Sequence, residues 1–186
     1  MAMQPLRDRL QPALLDRLTD DDPASQVEAE SQRFMSKAQL RAAVLRDLGW
    51  LFNAVQPLGA AVAEVYPHAG ASVLNFGLPP VSGQLASKVD VSQIERELRL
   101  AILRFEPRIL EHELSVRALE SGSVLESHNV IEFEISGWLW AQPVPLELLL
   151  RTRFDLEAGQ VAVRERNSVS VSAAGLAGAA VSGRLP

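Results

Sequence analysis

The chain has 186 residues, a formal net charge of −5 and no cysteine. Hydrophobic residues make up 47% and charged residues 22% of it, which is ordinary for a globular domain with a buried core. The lack of cysteine excludes disulfides, thiolate metal sites and cysteine nucleophiles. The acidic balance and the scattered arginines argue against nucleic acid or an anionic membrane as the main partner, because such binding needs clustered cations.

The N-terminal residues do not resemble a secretory signal, because charges interrupt them every few positions. No stretch approaches the roughly 18 uninterrupted apolar residues that a membrane span requires. We therefore expect neither a signal peptide nor direct membrane insertion.

Residues 1–35 are predicted to form a charged N-terminal arm that contains one short amphipathic helix. The acidic run at residues 19–23, which ends in proline, stops this helix. So short a helix is not stable alone in water, so it must dock on its own domain or on another chain. The acidic stop favours another chain. The leucines at helical spacing are Leu14, Leu15 and Leu18, and the charged residues predicted on the outer side are Asp16 and Arg17.

Two longer helices are predicted next. The first begins at Ser36, which is predicted to form a capping box with Gln39. The helical pattern continues to residue 66. Its apolar stripe is Leu40, Val44, Leu48 and Leu51, whereas Arg41 and Asp47 fall on the water-facing side.

A linker rich in glycine and proline is predicted over residues 67–86. The second long helix begins near Asp90 and ends before Pro107, because the residue before a proline is disfavoured in helical geometry. Its apolar face is Ile94, Leu98, Ala101, Ile102 and Phe105.

Beyond Pro107 the hydrophobic period changes to two, which is typical of strands. Strands are predicted over residues 109–117, 130–135, 146–156 and 161–163, the last two joined by a tight turn at residues 157–160. Helices followed by an antiparallel run predict an α+β fold, with the helices on one face of a small sheet. We expect one domain over residues 36–166 and a flexible tail over residues 167–186, which contain little besides small residues.

Catalytic and metal-binding patterns are weak. The three histidines, His68, His112 and His128, lack the spacing of a zinc site, and there is no nucleophile elbow or phosphate-binding loop. We predict no catalytic residues, no metal and no cofactor. A lysozyme-like hydrolase is the enzymatic alternative, since glycosidases need two carboxyl groups across a cleft. The carboxylates available for it are Glu106, Glu111, Glu113, Glu132 and Glu134.

Three stretches carry a family resemblance. They are LLDRLTDDDP at residues 14–23, SVLNFGLP at 72–79 and RFEPRI at 104–109. In this order and spacing the chain resembles the TssE family, the baseplate wedge proteins of bacterial type VI secretion systems. That family is similar to a baseplate wedge protein of contractile-tailed phages that has long carried a lysozyme-like label.

The resemblance implies a structural, non-enzymatic protein at a cytoplasmic, membrane-docked bacterial baseplate. Implied partners are TssF-like and TssG-like baseplate proteins and the contractile sheath subunits, which are TssB/TssC-like. The sheath would be reached by strand pairing at the edge of the C-terminal sheet. The resemblance leaves open the equivalent wedge protein of a phage tail or other contractile device. It implies partner-binding residues in the helix and in the Glu-Pro-Arg motif: Leu14, Leu15, Asp16, Arg17, Leu18, Glu106, Pro107 and Arg108.

The second motif is predicted to anchor a loop over the core through Leu74, Phe76 and Leu78. At the third, extended geometry would place Glu106 and Arg108 on the same side of Pro107. Arginine grips a carboxylate bidentately, so this pair predicts either an internal brace or a contact with a partner. The sequence favours neither the internal brace nor the partner contact.

Overall fold

The computed structural model describes residues 10, 12–19, 23–24, 34–80, 90–119 and 130–166 of the chain. Within these ranges the chain forms five α-helices, two 3₁₀ turns and four β-strands. The helices are α1 (Leu14–Leu18), α2 (Lys37–Asn53), α3 (Ala60–Val65), α4 (Pro67–Gly70) and α5 (Val91–Phe105). The 3₁₀ turns are Val73–Asn75 and Glu111–Glu113. The strands are β1 (Ser115–Ala118), β2 (Val130–Leu139), β3 (Leu146–Asp155) and β4 (Gln160–Glu165).

Helix α2 begins where the capping box predicts. The Gln39 backbone N–H donates to Ser36 Oγ at 3.2 Å, and the Ser36 N–H donates to Gln39 Oε1 at 2.8 Å. The whole predicted stripe is buried. The helix ends at Asn53 rather than at residue 66, because a segment containing Pro57 and Gly59 separates it from α3.

The sheet is antiparallel, with strand order β1-β2-β3-β4. Phe133 and Ile135 of β2 and Leu150 of β3 are buried on the face that α2 and α5 cover. The α+β prediction is confirmed, and so is the hairpin between β3 and β4, whose turn uses Gly159 at φ +63°.

The strand predicted over residues 109–117 is wrong in its first half. Ile109 bridges to Leu139, the chain then makes the 3₁₀ turn Glu111–Glu113, and β1 begins only at Ser115. Ile109 and Leu114 are both buried, yet they are five positions apart and would lie on opposite faces of a continuous strand. The turn changes the phase, so that both side chains pack over Gly137.

The segment predicted as a linker is packed against the domain over residues 67–80. The buried Asn75 accepts the Leu58 N–H on Oδ1 and donates from Nδ2 to the Gly70 carbonyl. Leu78 pairs with Val55 in a parallel bridge. Residues 81–86 lie outside the described ranges.

The loop anchors are confirmed in part. Leu78 is buried and Phe76 packs on the core, whereas Leu74 is exposed. The 3₁₀ turn Val73–Asn75 points Leu74 away from the core, so its prediction as an anchor is wrong.

The N-terminal arm contributes to the core. Leu10 is buried in the main hydrophobic cluster, and its carbonyl accepts the Met35 N–H at 2.8 Å. His128 and the predicted tail at 167–186 lie outside the described residues.

All three tryptophans are at the surface: Trp50 is 52% exposed, Trp138 38% and Trp140 56%. Among the described helices, none is long and apolar enough to cross a membrane.

Candidate functional site

Helix α1 presents its leucines to solvent. Leu14 is 73% exposed, Leu15 47% and Leu18 74%. The residue that faces the domain is Asp16, which accepts a hydrogen bond from Arg46 Nη1 of α2. The prediction that Asp16 lies on the outer side is therefore wrong, whereas Arg17 is exposed as predicted. An ion pair holds α1 to the domain and leaves an apolar face uncovered.

The Glu-Pro-Arg motif is a turn rather than an extended segment. Helix α5 ends at Phe105, and the Ile109 N–H donates to the Glu106 carbonyl at 3.1 Å, with Pro107 at the second position of the turn. The turn folds Arg108 back onto Glu106. We call the residues Glu106–Pro107–Arg108 the corner.

Within the corner, Arg108 grips a carboxylate of its own chain. Arg108 Nε donates to Glu106 Oε1 at 2.7 Å, Nη2 donates to Oε2, and the Arg108 backbone N–H donates to Oε1 at 3.2 Å. Glu106 is only 3% exposed. A carboxylate this deeply buried requires such partners, because an uncompensated charge there is strongly destabilising.

Asp47 of α2 links the corner to α1. Its Oδ2 accepts from Arg108 Nη2 at 2.6 Å and its Oδ1 accepts from Arg46 Nε at 2.9 Å. Asp47 was predicted to face water, but it is shared between two arginines instead. A continuous chain of ion pairs therefore joins the first and third sequence motifs. We call it the charge chain, and it consists of Asp16, Arg46, Asp47, Arg108 and Glu106.

Both arginines of the charge chain stay charged at neutral pH. Burial lowers the pKa of Arg108, but hydrogen bonds and charges from Glu106 and Asp47 outweigh it and raise that pKa above its ordinary value. The hydrogen bond to Asp16 likewise raises the pKa of Arg46. A raised pKa in a cation gives stability that is present below its ordinary pKa and lost only as pH rises through the folded value. The stabilisation from these arginines is therefore lost only in strong alkali.

A groove of about 580 Å³ lies between the start of α1, the outer side of α2 and the corner. Phe76 and Phe105 meet edge to face in it, with ring centroids 5.2 Å apart. Trp50 lines the same groove, and the Arg46 guanidinium lies 5.0 Å from its ring centroid. The second sequence motif, through Phe76, thus meets the other two in one region of the surface. We call this region the composite surface.

Sequence reasoning missed Arg46 and Trp50. Both are on α2 outside the three motifs, and the apolar stripe of that helix does not include them. The available signal was the adjacent pair Arg46-Asp47 at the border of the stripe, which places opposite charges next to a core-facing row.

The carboxylates considered for hydrolysis are dispersed. Glu106 is bonded to Arg108, while Glu132 pairs with Arg151 and Glu134 with Arg166 on the outer face of the sheet. Glu111 and Glu113 are exposed in the 3₁₀ turn, with His112 between them. In the part of the chain that the structure describes, no cluster of three or more His, Asp or Glu side chains is placed to hold a metal ion.

The described residues thus form a helical layer on one face of a four-stranded antiparallel sheet, with the polar residues of the first and third motifs joined by ion pairs. A family model described as "Baseplate wedge protein gp25" matches residues 38–144, which is more than half of the chain. The chain belongs to this family of baseplate wedge proteins, which are structural components of contractile devices. No curated protein and no solved structure matches the chain.

The matched span contains two of the three sequence motifs, residues 72–79 and the corner, and runs from α2 to just before β3. Helix α1 and the hairpin of β3 and β4 lie outside it. The resemblance recognised in the sequence is confirmed at the level of the family.

Proposed function

We propose that this chain is the TssE-type wedge component of a bacterial type VI baseplate. In this role it binds TssF-like and TssG-like partners through the composite surface and connects the baseplate to the contractile sheath by strand pairing. The site residues are those predicted from the sequence: the α1 residues Leu14, Leu15, Asp16, Arg17 and Leu18, and the corner residues Glu106, Pro107 and Arg108.

The observation that carries the proposal is the orientation of α1. A helix of five residues does not persist in water without packing, and here an ion pair on one side holds it while three leucines face outward. Burying each leucine contributes about 1.5–3 kcal/mol, so a partner groove that covers all three gains a substantial binding energy.

The test changes the leucines without touching the core. We expect the double variant Leu15→Asp, Leu18→Asp to keep the unfolding midpoint of the parent and to lose copurification with TssF-like and TssG-like proteins. Leu100→Asp is the matched control, because Leu100 is similarly exposed but lies on α5. Copurification that survives the double change would refute the docking role of α1.

The proposal makes the chain non-enzymatic, and the pairing of Glu106 with Arg108 supports this, since both oxygens of this buried carboxylate are bonded within the chain. Purified protein should not clear a suspension of bacterial cell walls. Clearing that disappears in Glu113→Gln would favour the lysozyme-like alternative instead.

The kind of contractile device is decided by genomic context. Neighbouring reading frames for a AAA+ disassembly ATPase and membrane-complex proteins support the type VI assignment and a cytoplasmic, membrane-docked baseplate. Capsid genes in their place would assign the chain to a phage tail.

A further inference from the structure

Strand β4 is at an edge of the sheet, and one side chain already occupies part of that edge. Asn53, the last residue of α2, accepts the Val161 N–H on Oδ1 at 2.9 Å and donates from Nδ2 to the Val161 carbonyl at 2.8 Å. The carboxamide thus bonds both backbone groups of one strand residue, as a neighbouring strand would.

The orientation of this carboxamide is determined by its partners. The second hydrogen of Nδ2 goes to the Gly49 carbonyl at 2.7 Å, so both donors of Asn53 are used. Exchanging nitrogen and oxygen would place a donor against the Val161 N–H and the oxygen against two carbonyls. Val161 is buried, so its backbone groups require these partners.

The register shows which residues of β4 face the same way. The Arg166 N–H donates to the Leu149 carbonyl at 2.9 Å, which makes that pair a hydrogen-bonded one of the ladder with β3. Because such pairs alternate in antiparallel strands, Ala162 and Arg164 also direct their backbone groups toward β3. Val161 and Val163 direct theirs toward the edge.

We propose that Asn53 closes the β4 edge at Val161, so that strand addition by another subunit starts at Val163. The occupant is a strand of the contractile sheath subunit, and this part rests on the proposed function. Edge strands attract pairing because they carry unbonded backbone groups, so a side chain that saturates the first edge-facing residue fixes where pairing starts. Asn53 is then a register-determining residue of the sheath contact.

The test follows backbone hydrogen exchange at single residues, in the full chain alone and with purified sheath subunits. In the free parent protein we expect slow exchange at Val161. In Asn53→Ala, we expect exchange at Val161 about tenfold faster, the loss of one net hydrogen bond.

Gln56→Ala is the control for loss of an amide side chain, because Gln56 donates to the Gly77 carbonyl and not to β4. Exchange at the buried Phe133 in β2 reports global stability, so the cap is measured by how much the acceleration at Val161 exceeds the acceleration at Phe133 in the same protein. Val161 exchange in free Asn53→Ala that equals the parent would overturn the proposal.

Adding sheath subunits separates the cap from the proposed function. We expect slower exchange at Val163 in the parent with no change at Val161, and slower exchange at both residues in Asn53→Ala. The register role would be overturned by one result in Asn53→Ala. That result is exchange at Val163 that sheath subunits slow, together with exchange at Val161 that is the same with and without them. If sheath subunits slow exchange at neither Val161 nor Val163 in any variant, strand pairing in the proposed function is refuted, and the register role with it. The cap measured in the free protein would still stand.

Discussion

Glu106 is a buried carboxylate whose charge is compensated by a residue two positions away. Both of its oxygens accept from Arg108, and Arg108 also reaches Asp47. A lysine has one nitrogen on a flexible stem and cannot make this fork of hydrogen bonds. The guanidinium is therefore specifically required at this position.

We expect Arg108→Lys to lower the free energy of unfolding by about 1–3 kcal/mol, because acceptors of Glu106 or Asp47 lose a donor while buried. Urea denaturation measures the change. The control is Arg151→Lys on the outer face of the sheet, where the exposed pair with Glu132 contributes about 0–1 kcal/mol. Equal effects of the two substitutions would mean that the bidentate grip is unimportant.

Arg46 sets the orientation of α1 through Asp16. We expect Arg46→Met to weaken binding of TssF-like and TssG-like partners about tenfold, because a charge-assisted hydrogen bond holds the leucines in place. Isothermal titration calorimetry measures the affinity. Asp16→Asn should weaken binding similarly, and the double variant should be no worse than Arg46→Met alone, because Arg46→Met already removes the contact that Asp16→Asn removes. Additive losses would show that the two residues act independently.

The sequence predicted that Glu106 and Arg108 lie on the same side of Pro107 and left an internal brace and a partner contact equal. It did not predict the bonds that extend from this pair to Asp47 and Arg46. A helical periodicity assigns each side chain to a face of its own helix, and it contains no information on which element approaches that face. Asp47 is assigned to water by this rule. It is half-buried because the corner, 61 positions further along the chain, packs against α2.

At the scale of elements, residues 54–56 and 76–78 form a short parallel pairing that attaches the second motif to α2. The Leu78 N–H donates to the Ala54 carbonyl at 2.9 Å, and the Gln56 N–H donates to the Leu78 carbonyl at 2.9 Å. Gly77 makes this approach possible. Its φ is +124°, and a Cβ there would lie 2.4 Å from the Ala54 carbonyl oxygen.

We expect Gly77→Ala to destabilise the protein by about 1–3 kcal/mol or more, because it combines a strained φ with a backbone clash. Gly49→Ala is the matched change, since Gly49 is inside α2 and an added Cβ meets nothing within 4 Å. Alanine there should stabilise the protein by about 0.5–1 kcal/mol through its helical preference. Thermal unfolding of both variants tests the opposite signs.

Helix starts were predictable because capping is a local interaction between residues three positions apart, as with Ser36 and Gln39. The start of the first strand, β1, was not predictable in this way. A period of two describes a strand only while the backbone stays extended, and the turn before β1 changes the phase to bury Ile109 and Leu114 together. That requirement comes from the packing over Gly137, which is distant in sequence.

At the scale of the whole molecule, the N-terminal arm and the rest of the chain share one core. Leu10 is buried among residues of α2, α5 and the sheet. We expect Leu10→Ala to lower the free energy of unfolding by about 2–5 kcal/mol, whereas Leu18→Ala changes it by less than about 0.5 kcal/mol. Chemical denaturation of both variants measures this difference.

The proposed boundary between the arm, residues 1–35, and the domain, residues 36–166, depends on that result. A small effect of Leu10→Ala would support an arm that is separable from the domain. A large one would mean that the first part of the arm unfolds together with the domain.

The fold class followed from the order of periodic segments, since helices before an antiparallel run can bury their faces only on one side of the sheet. Composition misled the prediction for residues 67–80. Glycine and proline there indicated a linker, but Gly77 serves a close backbone approach, and the buried Asn75 bonds both to Leu58 outside the segment and to Gly70 within it. Residue type alone does not distinguish a turn-rich packed segment from a tether.

The surface position of all three tryptophans determines what the intrinsic fluorescence of this protein reports. Indoles that are already hydrated in the native chain emit at long wavelength, so denaturation shifts their spectrum little. Docking of another subunit removes water from them and moves the emission toward the blue. Trp50 monitors the groove beside α1, while Trp138 and Trp140 monitor the far end of β2. Variants that keep only one of these two groups would show which of the two surfaces a given subunit covers.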